Sequence, residues 1–408
     1  MTLLSTTHKN ALGSYYTKDC VSDILVASLS VKNPQFVLDL GSGDGSLSKA
    51  AGKRWSKAQY ITVDIKKQTN LKNDYDSKRS FKHKHFLTDA LDPLLIGNIG
   101  LTPEVFDLAI CNPPFIKYEW TKEHKEFLIN AGYLANYKAV DKISAEVIFI
   151  IQNLVSLKKG GQLGLIIPDG FISGVRNKVF REYILKSNSI DKVIKLPRNA
   201  FKGIDVQSHI VIITKGRNSD HVILSELEAV NDKSKHIVIS EEEAIESLNY
   251  SYHKEKTIYH SKAVSLKNMN ASVMRGKYNS KQCREINFKV LHTTDLKNDL
   301  HYFDIRSFES TFEDNSMIMV EKGDILIARV GRNITKKICL VTNGKASISD
   351  CIYKLRVPER WRETVFKYLI SDMGKAALNS RIHGAGARYL SMGMLLELPI
   401  PYNGGLNE

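Results

Sequence analysis

The sequence is poor in the features that mark several common protein classes. Its 408 residues hold five cysteines, Cys20, Cys111, Cys283, Cys339 and Cys351, each isolated and none in a Cys-x-x-Cys pair. That scatter argues against a disulfide framework or a zinc site and for reduced thiols in a cytoplasmic protein. The histidines are equally dispersed. The closest pair, His83 and His85, lies in a Lys-rich stretch with no cysteine or carboxylate cluster beside it. No metal site is expected. No apolar run approaches the roughly 18–20 residues a membrane span needs, and Met1 to Asn10 lacks a basic segment followed by an apolar one. Neither a membrane protein nor a secreted one is expected.

Acidic residues are in deficit. The chain has 44 Asp and Glu against 58 Lys and Arg, a formal charge of +14. Such an excess favours a polyanionic partner, because each neutralised phosphate releases counterions and adds affinity. A solvated basic surface is the plainer alternative. Apolar residues at 43% and charged residues at 25% are ordinary for a globular chain. The length points to two domains.

Short apolar runs alternate with helical stretches from residue 36 to 215. Phe36–Leu40, Tyr60–Val63, Phe106–Cys111, Gln162–Ile167, Asp191–Leu196 and His209–Thr214 read as buried strands. With helices between them, they predict a doubly wound, mostly parallel α/β sheet. Glu146–Leu157 reads as a helix packed on that sheet, closed by a cationic turn and glycine stop at Lys158–Gly161. The domains are placed at 1–216 and 261–408, with 217–260 as a connector. The second half has short strands at Lys322–Ala328 and Lys337–Val341. A long amphipathic stretch, Glu359–Ile382, would bury Val365, Phe366, Leu369 and Met373. It reads as a smaller α+β domain.

Two constellations carry chemistry. The first is Asp39-Leu-Gly-Ser-Gly-Asp-Gly45, between a strand and the expected helix Ser46–Trp55. Glycines allow close approach of backbone to a ligand, and a helix N-terminus offers free N–H groups. Asp64 ends the next strand, where ribose hydroxyls are accepted in nucleoside-binding α/β units. Asp89 follows another strand-like run and could accept from an adenine amine. Taken singly, Asp64 and Asp89 read equally well as loop or helix-cap carboxylates. The second constellation is Asn112-Pro113-Pro114-Phe115, at the end of an apolar strand. Strand C-termini face the ligand crevice of an open α/β sheet. Prolines remove N–H donors and stiffen the turn. The Asn carboxamide oxygen and a neighbouring carbonyl then make two acceptors suited to one amino group, with an aromatic face beside them.

Residues 13–215 resemble the γ-class N6-adenine DNA methyltransferases. The resemblance rests on motif order: Gly13-Ser-Tyr-Tyr-Thr17, the glycine turn, Asp64, Asp89, then Asn-Pro-Pro-Phe. It implies a Rossmann-like methyltransferase sheet and S-adenosylmethionine as cofactor. By resemblance Tyr16, Thr17, Asp39, Gly41, Gly43, Asp64, Ile65, Asp89, Ala90 and Asn112 would line the cofactor site. Asn112, Pro113, Pro114 and Phe115 would form the catalytic turn, and Phe201 would stack on a flipped base. The chain departs from the family pattern at Lys18, where a proline is usual, and at Leu40 after the acid of the glycine turn.

The second half resembles one target-recognition unit of type I restriction specificity subunits. The segments are Met274–Tyr278, His292–Asp295, Val320–Gly331, Ser347–Asp350, Gly384–Ser391 and Leu398–Pro401. Residues 325–362 carry nine Lys and Arg against two acids, which suits a phosphate-facing surface. Arg329, Arg332, Lys336 and Lys337 are the candidate DNA contacts, although each alone reads as a solvated cation. The combined expectation is a site-specific DNA adenine-N6 methyltransferase acting on double-stranded DNA as monomer or homodimer. It would belong to a restriction-modification system with any nuclease on a separate polypeptide, or be a solitary methylase. The rivals are an RNA or protein-glutamine methyltransferase and a non-catalytic specificity subunit.

Overall fold

The computed structural model describes residues 19–67, 82–116, 118–133, 144–201, 206–227, 236–258, 263–285, 289–309, 317–384 and 388–401. The chain divides into two compact units, Met1–Tyr250 and Ser251–Glu408.

In the first unit the elements run α1 (Asp19–Ser28), β1 (Phe36–Leu40), α2 (Ser46–Arg54), β2 (Gln59–Asp64), β3 (Lys82–Leu87), α3 (Leu95–Asn98), β4 (Phe106–Cys111) and α4 (Lys122–Asn130). There follow α5 (Ala145–Ser156), β5 (Leu157–Pro168), α6 (Asp169–Ser173), α7 (Lys178–Ser187), β6 (Asn188–Lys195), β7 (Ser208–Lys215), β8 (His221–Glu226), β9 (His236–Ser240) and α8 (Glu241–Glu246). The nine strands form one sheet in the order β3-β2-β1-β4-β5-β7-β6-β8-β9. The pairings leave β7 and β9 running against the other seven strands. Chain order reverses between β1 and β4, so the crevice at their C-terminal ends is the topological switch point where such sheets bind ligands.

Side chains alternate between two cores. Val37, Leu108, Ile110, Ile166 and Ile210 face α1 and α2, whereas Leu38, Leu40, Ala109, Cys111 and Leu165 face α5 and α7. Helix α5 is buried almost all round. Its polar residues therefore bond internally: Gln152 donates to the Asp92 carbonyl at 2.6 Å, and Asn153 to the Phe149 carbonyl at 2.7 Å.

Three expectations change. Lys158–Gly161 is not a helix stop but the start of β5, because Leu157 pairs with Phe106 and Lys158 meets the Asp107 carboxylate at 2.7 Å. The stretch read as a connector carries two strands and two helices, β8, β9, α8 and a helix at Tyr250–Ile258. Strands β8 and β9 extend the sheet, and fully buried Arg181 fastens α8 by donating to the carbonyls of Ile245 and Glu246 as well as Phe171 and Gly174. The amphipathic run is two helices, Glu359–Ile370 and Asp372–Ser380, broken where Ser371 turns extended and accepts from the Gly374 N–H. Val365, Phe366 and Leu369 are buried, but Met373 is exposed.

The second unit is α+β. A five-stranded sheet places Ile325–Ala328 centrally, between Ile352–Arg356 and Ile338–Asn343, beside a three-stranded sheet built on Lys345–Ile348. Its fully buried Asp324 holds Arg356 through two hydrogen bonds of 2.6 and 2.9 Å.

Candidate active site

The switch point opens into a cavity of about 260 Å³ lined by Gly41, Gly43, Asp64, Ile65, Lys66, Asp89, Ala90, Leu91, Asn112, Pro114, Ile116, Tyr118 and Phe149. Each strand delivers its part from the end of a buried apolar run. After β1 the chain turns through Gly41 at φ 69° and Gly43 at φ 54°, conformations that favour glycine. A Cβ on Gly41 would also lie 3.0 Å from the Phe149 ring, so this glycine admits the aromatic wall.

The Asp64 carboxylate sets the turn. Its Oδ2 accepts from the Gly43 N–H at 2.8 Å and its Oδ1 from the Lys66 N–H at 2.9 Å. Asp89 accepts from the Leu91 N–H at 2.9 Å through Oδ1. Both carboxylates are thus oriented by backbone donors at adjacent strand ends. Asn112 follows Cys111, whose buried thiol donates to the Leu40 carbonyl at 3.2 Å and ties β4 to β1 beneath the cavity. Burial pushes that thiol well above its ordinary range, so it stays a neutral packing group.

The structure does not gather every residue singled out in the sequence. Pro113 is buried and Phe115 half-buried, and neither lines the cavity. Tyr16 and Thr17 lie outside the described residues. Phe201 is packed with Ile194, Leu196, Ile210 and Ile212 in the core facing α1 and α2, so as placed it is a core side chain with no face open to a base.

Asp39 also departs from expectation. Strand alternation turns it toward α2, where its Oδ2 accepts from Ser48 Oγ at 2.6 Å and its buried Oδ1 finds no partner among the described residues. Burial, opposed by the Ser48 hydrogen bond and assisted by Asp64, pushes its pKa up to about 7. A folded-state value above the ordinary one means that the folded chain binds more protons between about pH 4 and 7. Stability is then lost as pH rises through that window. Asp39→Asn is expected to remove this component: the difference in urea midpoint, variant minus wild type, should grow from pH 4 to 7 and level off above. A constant difference would contradict it.

Five cavity residues carried no clear signal in the sequence. Phe149 projects from an almost uniformly apolar helix, and Lys66, Leu91, Ile116 and Tyr118 flank the expected motifs without a spacing of their own. A larger cavity, about 660 Å³, lies at the other end of the strands. Its Lys215 is already committed to Glu104 and to the Leu157 carbonyl, so the chemistry gathers at the smaller one.

In the second unit Arg332 and Lys336 are exposed. Arg329 instead donates to the Asp350 carbonyl and pairs with its carboxylate, and Lys337 donates to the Thr293 carbonyl. These two cations are held within the fold as structural residues, which leaves Arg332 and Lys336 of the four expected DNA contacts facing solvent.

A doubly wound sheet with an acid-bearing glycine turn and an Asn-Pro-Pro-Phe turn at its switch point defines a Rossmann-like methyltransferase fold. Residues 1–287 match the N-6 DNA Methylase family, and the chain belongs to it. It is 27% identical over 245 residues to the type II methyltransferase M.PstI of Providencia stuartii, covering 54% of this chain and 46% of that one. The type II methyltransferase M.BsuBI of Bacillus subtilis is 25% identical over 240 residues, covering 53% and 46%. The chain thus spans less than half the length of these curated relatives. Among solved structures, the type I restriction-modification methyltransferase subunit of Streptococcus thermophilus is 22% identical with a TM-score of 0.43, covering 62% of this chain and 54% of that one.

Proposed function

We propose that the chain is a site-specific DNA adenine-N6 methyltransferase using S-adenosylmethionine, in a restriction-modification system or as a solitary methylase. The observation that carries this reading is the single cavity joining Gly41, Gly43, Asp64 and Asp89 to Asn112 and Pro114. The lining fits the cofactor: two backbone-oriented carboxylates suit ribose hydroxyls and an amine, and Gly41, with no Cβ, lets the Phe149 ring form an apolar wall beside them. When bound, S-adenosylmethionine supplies an electrophilic methyl group on a sulfonium.

The chain's own work is positioning. The Asn112 carboxamide oxygen accepts from the target amine, drawing its lone pair out of conjugation with the ring; the Pro113 carbonyl, outside the cavity lining, would be the second acceptor for an amine brought against the turn. The stiff di-proline turn fixes both acceptors, so little reorganisation is required as charge develops. The amine becomes acidic only after methylation, so no general base is needed early. The target base would leave the duplex stack to reach this crevice, at a cost of a few kcal/mol.

The second unit would read duplex DNA, a role that favours DNA over RNA or protein as substrate. Arg332 and Lys336 are its phosphate contacts. Arg332→Ala and Lys336→Ala are each expected to weaken DNA binding evenly across sequences and to lower the salt slope by about one. An unchanged slope in both would remove them from the interface.

Purified protein incubated with methyl-labelled S-adenosylmethionine and unmodified duplex DNA, with RNA and cell protein offered in parallel, tests the whole reading. N6-methyladenine in the nucleoside digest is expected. N4-methylcytosine would overturn the adenine assignment, and label confined to RNA or protein would overturn the substrate.

A further inference from the structure

Tyr118 is a cavity residue to which no motif assigns a role. It lies just beyond the Asn-Pro-Pro-Phe turn and shares the cavity wall with Asp89 and Leu91. Its ring is fixed from behind. His124 meets it edge-on at 5.2 Å, and His124 is itself buried and tied to the same wall, its Nε2 lying 3.0 Å from the Leu91 carbonyl. A carbonyl only accepts, so Nε2 carries the hydrogen. Nδ1 is then the acceptor, facing Thr121 Oγ1 at 2.7 Å. The tyrosine is thereby held by an imidazole bonded at both ring nitrogens.

The hydroxyl itself makes no hydrogen bond within the described residues. Burial, and then the negative charges of Asp89 and Asp92, raise its pKa, so it remains a protonated O–H donor at neutral pH. Asp89 spends Oδ1 on the Leu91 N–H and keeps Oδ2 for another donor. The cavity lining therefore combines a hydroxyl donor with a carboxylate oxygen that makes no hydrogen bond within the described residues. An adenine edge presents the complement, an exocyclic amine flanked by an acceptor nitrogen. Hypoxanthine reverses both, turning a carbonyl toward the carboxylate and an N–H toward the hydroxyl.

We propose that Tyr118 is a specificity-determining residue of the nucleoside site, its hydroxyl donating to the ring nitrogen beside the amine that Asp89 accepts. This rests on the functional reading above and deepens it. The test uses the full chain, with isothermal titration of S-adenosylhomocysteine and S-inosylhomocysteine against wild type and Tyr118→Phe. The phenylalanine keeps the edge contact with His124 and removes only the hydroxyl, and matched thermal melts check the fold. Wild type should bind the adenosyl ligand more tightly. The variant should lose roughly three- to tenfold in that affinity, with little change for the inosyl ligand, so the preference shrinks. Equal adenosyl affinity in variant and wild type would overturn the assignment. A wild-type chain that binds neither nucleoside would instead overturn the functional reading, and this inference with it.

Discussion

Truncating Asn112 to alanine is expected to lower methyl transfer roughly 10²–10³-fold, the range seen when one preorganised polar group is removed from an active site. The backbone should survive the change. Cys111 on one side is fixed by its bond to Leu40, and the two prolines on the other restrict their own φ angles. What is lost is one of two acceptors for the target amine, and with it the geometry that exposes the nitrogen lone pair. Single-turnover rates at saturating cofactor and DNA separate this from weakened binding. A rate within a few-fold of wild type would show that Asn112 is not the acceptor.

The second large effect falls on cofactor affinity. On the proposed reading Asp64 does two jobs: its oxygens hold the Gly43 and Lys66 N–H groups, and they would accept from ribose hydroxyls as well. Asp64→Ala removes both. Hydrogen bonds to charged groups are worth about 1.5–3 kcal/mol each, so S-adenosylhomocysteine affinity is expected to fall roughly 100-fold or more. Asp64→Asn keeps one acceptor oxygen and should lie between. Calorimetry on the two variants reads the effect directly, and affinity preserved in Asp64→Ala would place the ribose elsewhere.

Strands β1 and β4 are legible in the sequence because each is an apolar run interrupted by one carboxylate, Asp39 or Asp107, and ended by a residue that cannot continue it, glycine in one case and Asn-Pro in the other. Their adjacency, and hence the cavity, followed from the alternation of strands and helices. The start of β5 was not legible, since Lys158–Gly161 carries the local chemistry of a helix end and becomes strand only through Phe106 and Asp107, about fifty residues away. Strands β8 and β9 were not legible because each offers an apolar run of only three residues, Val222–Leu224 and Ile237–Ile239, and Val238 on the edge strand is exposed.

The turn of Asp39 away from the cavity was present in the alternation of Phe36–Leu40. Counting outward from Leu38 and Leu40, which face α5, puts Asp39 on the opposite side. The break at Ser371 was likewise visible as a Ser-Asp pair opening a second helix. By contrast, nothing local marked Tyr118 or Phe149. They reach the cavity through the packing of α4 and α5 against the strand ends, a tertiary relation. Arg329 and Arg332, three residues apart, differ in the same way: only the fold decides that one meets Asp350 and the other faces solvent.

Sequence-directed methylation of adenine N6 at the Asn112 turn is the activity proposed for this chain. Single-molecule sequencing of genomic DNA from a methylase-free bacterial host expressing this chain tests it most directly, with Asn112→Ala as the control. N6-methyladenine confined to one short motif and absent from the control is expected. Unmodified DNA from cells that contain folded protein able to bind S-adenosylhomocysteine would contradict it.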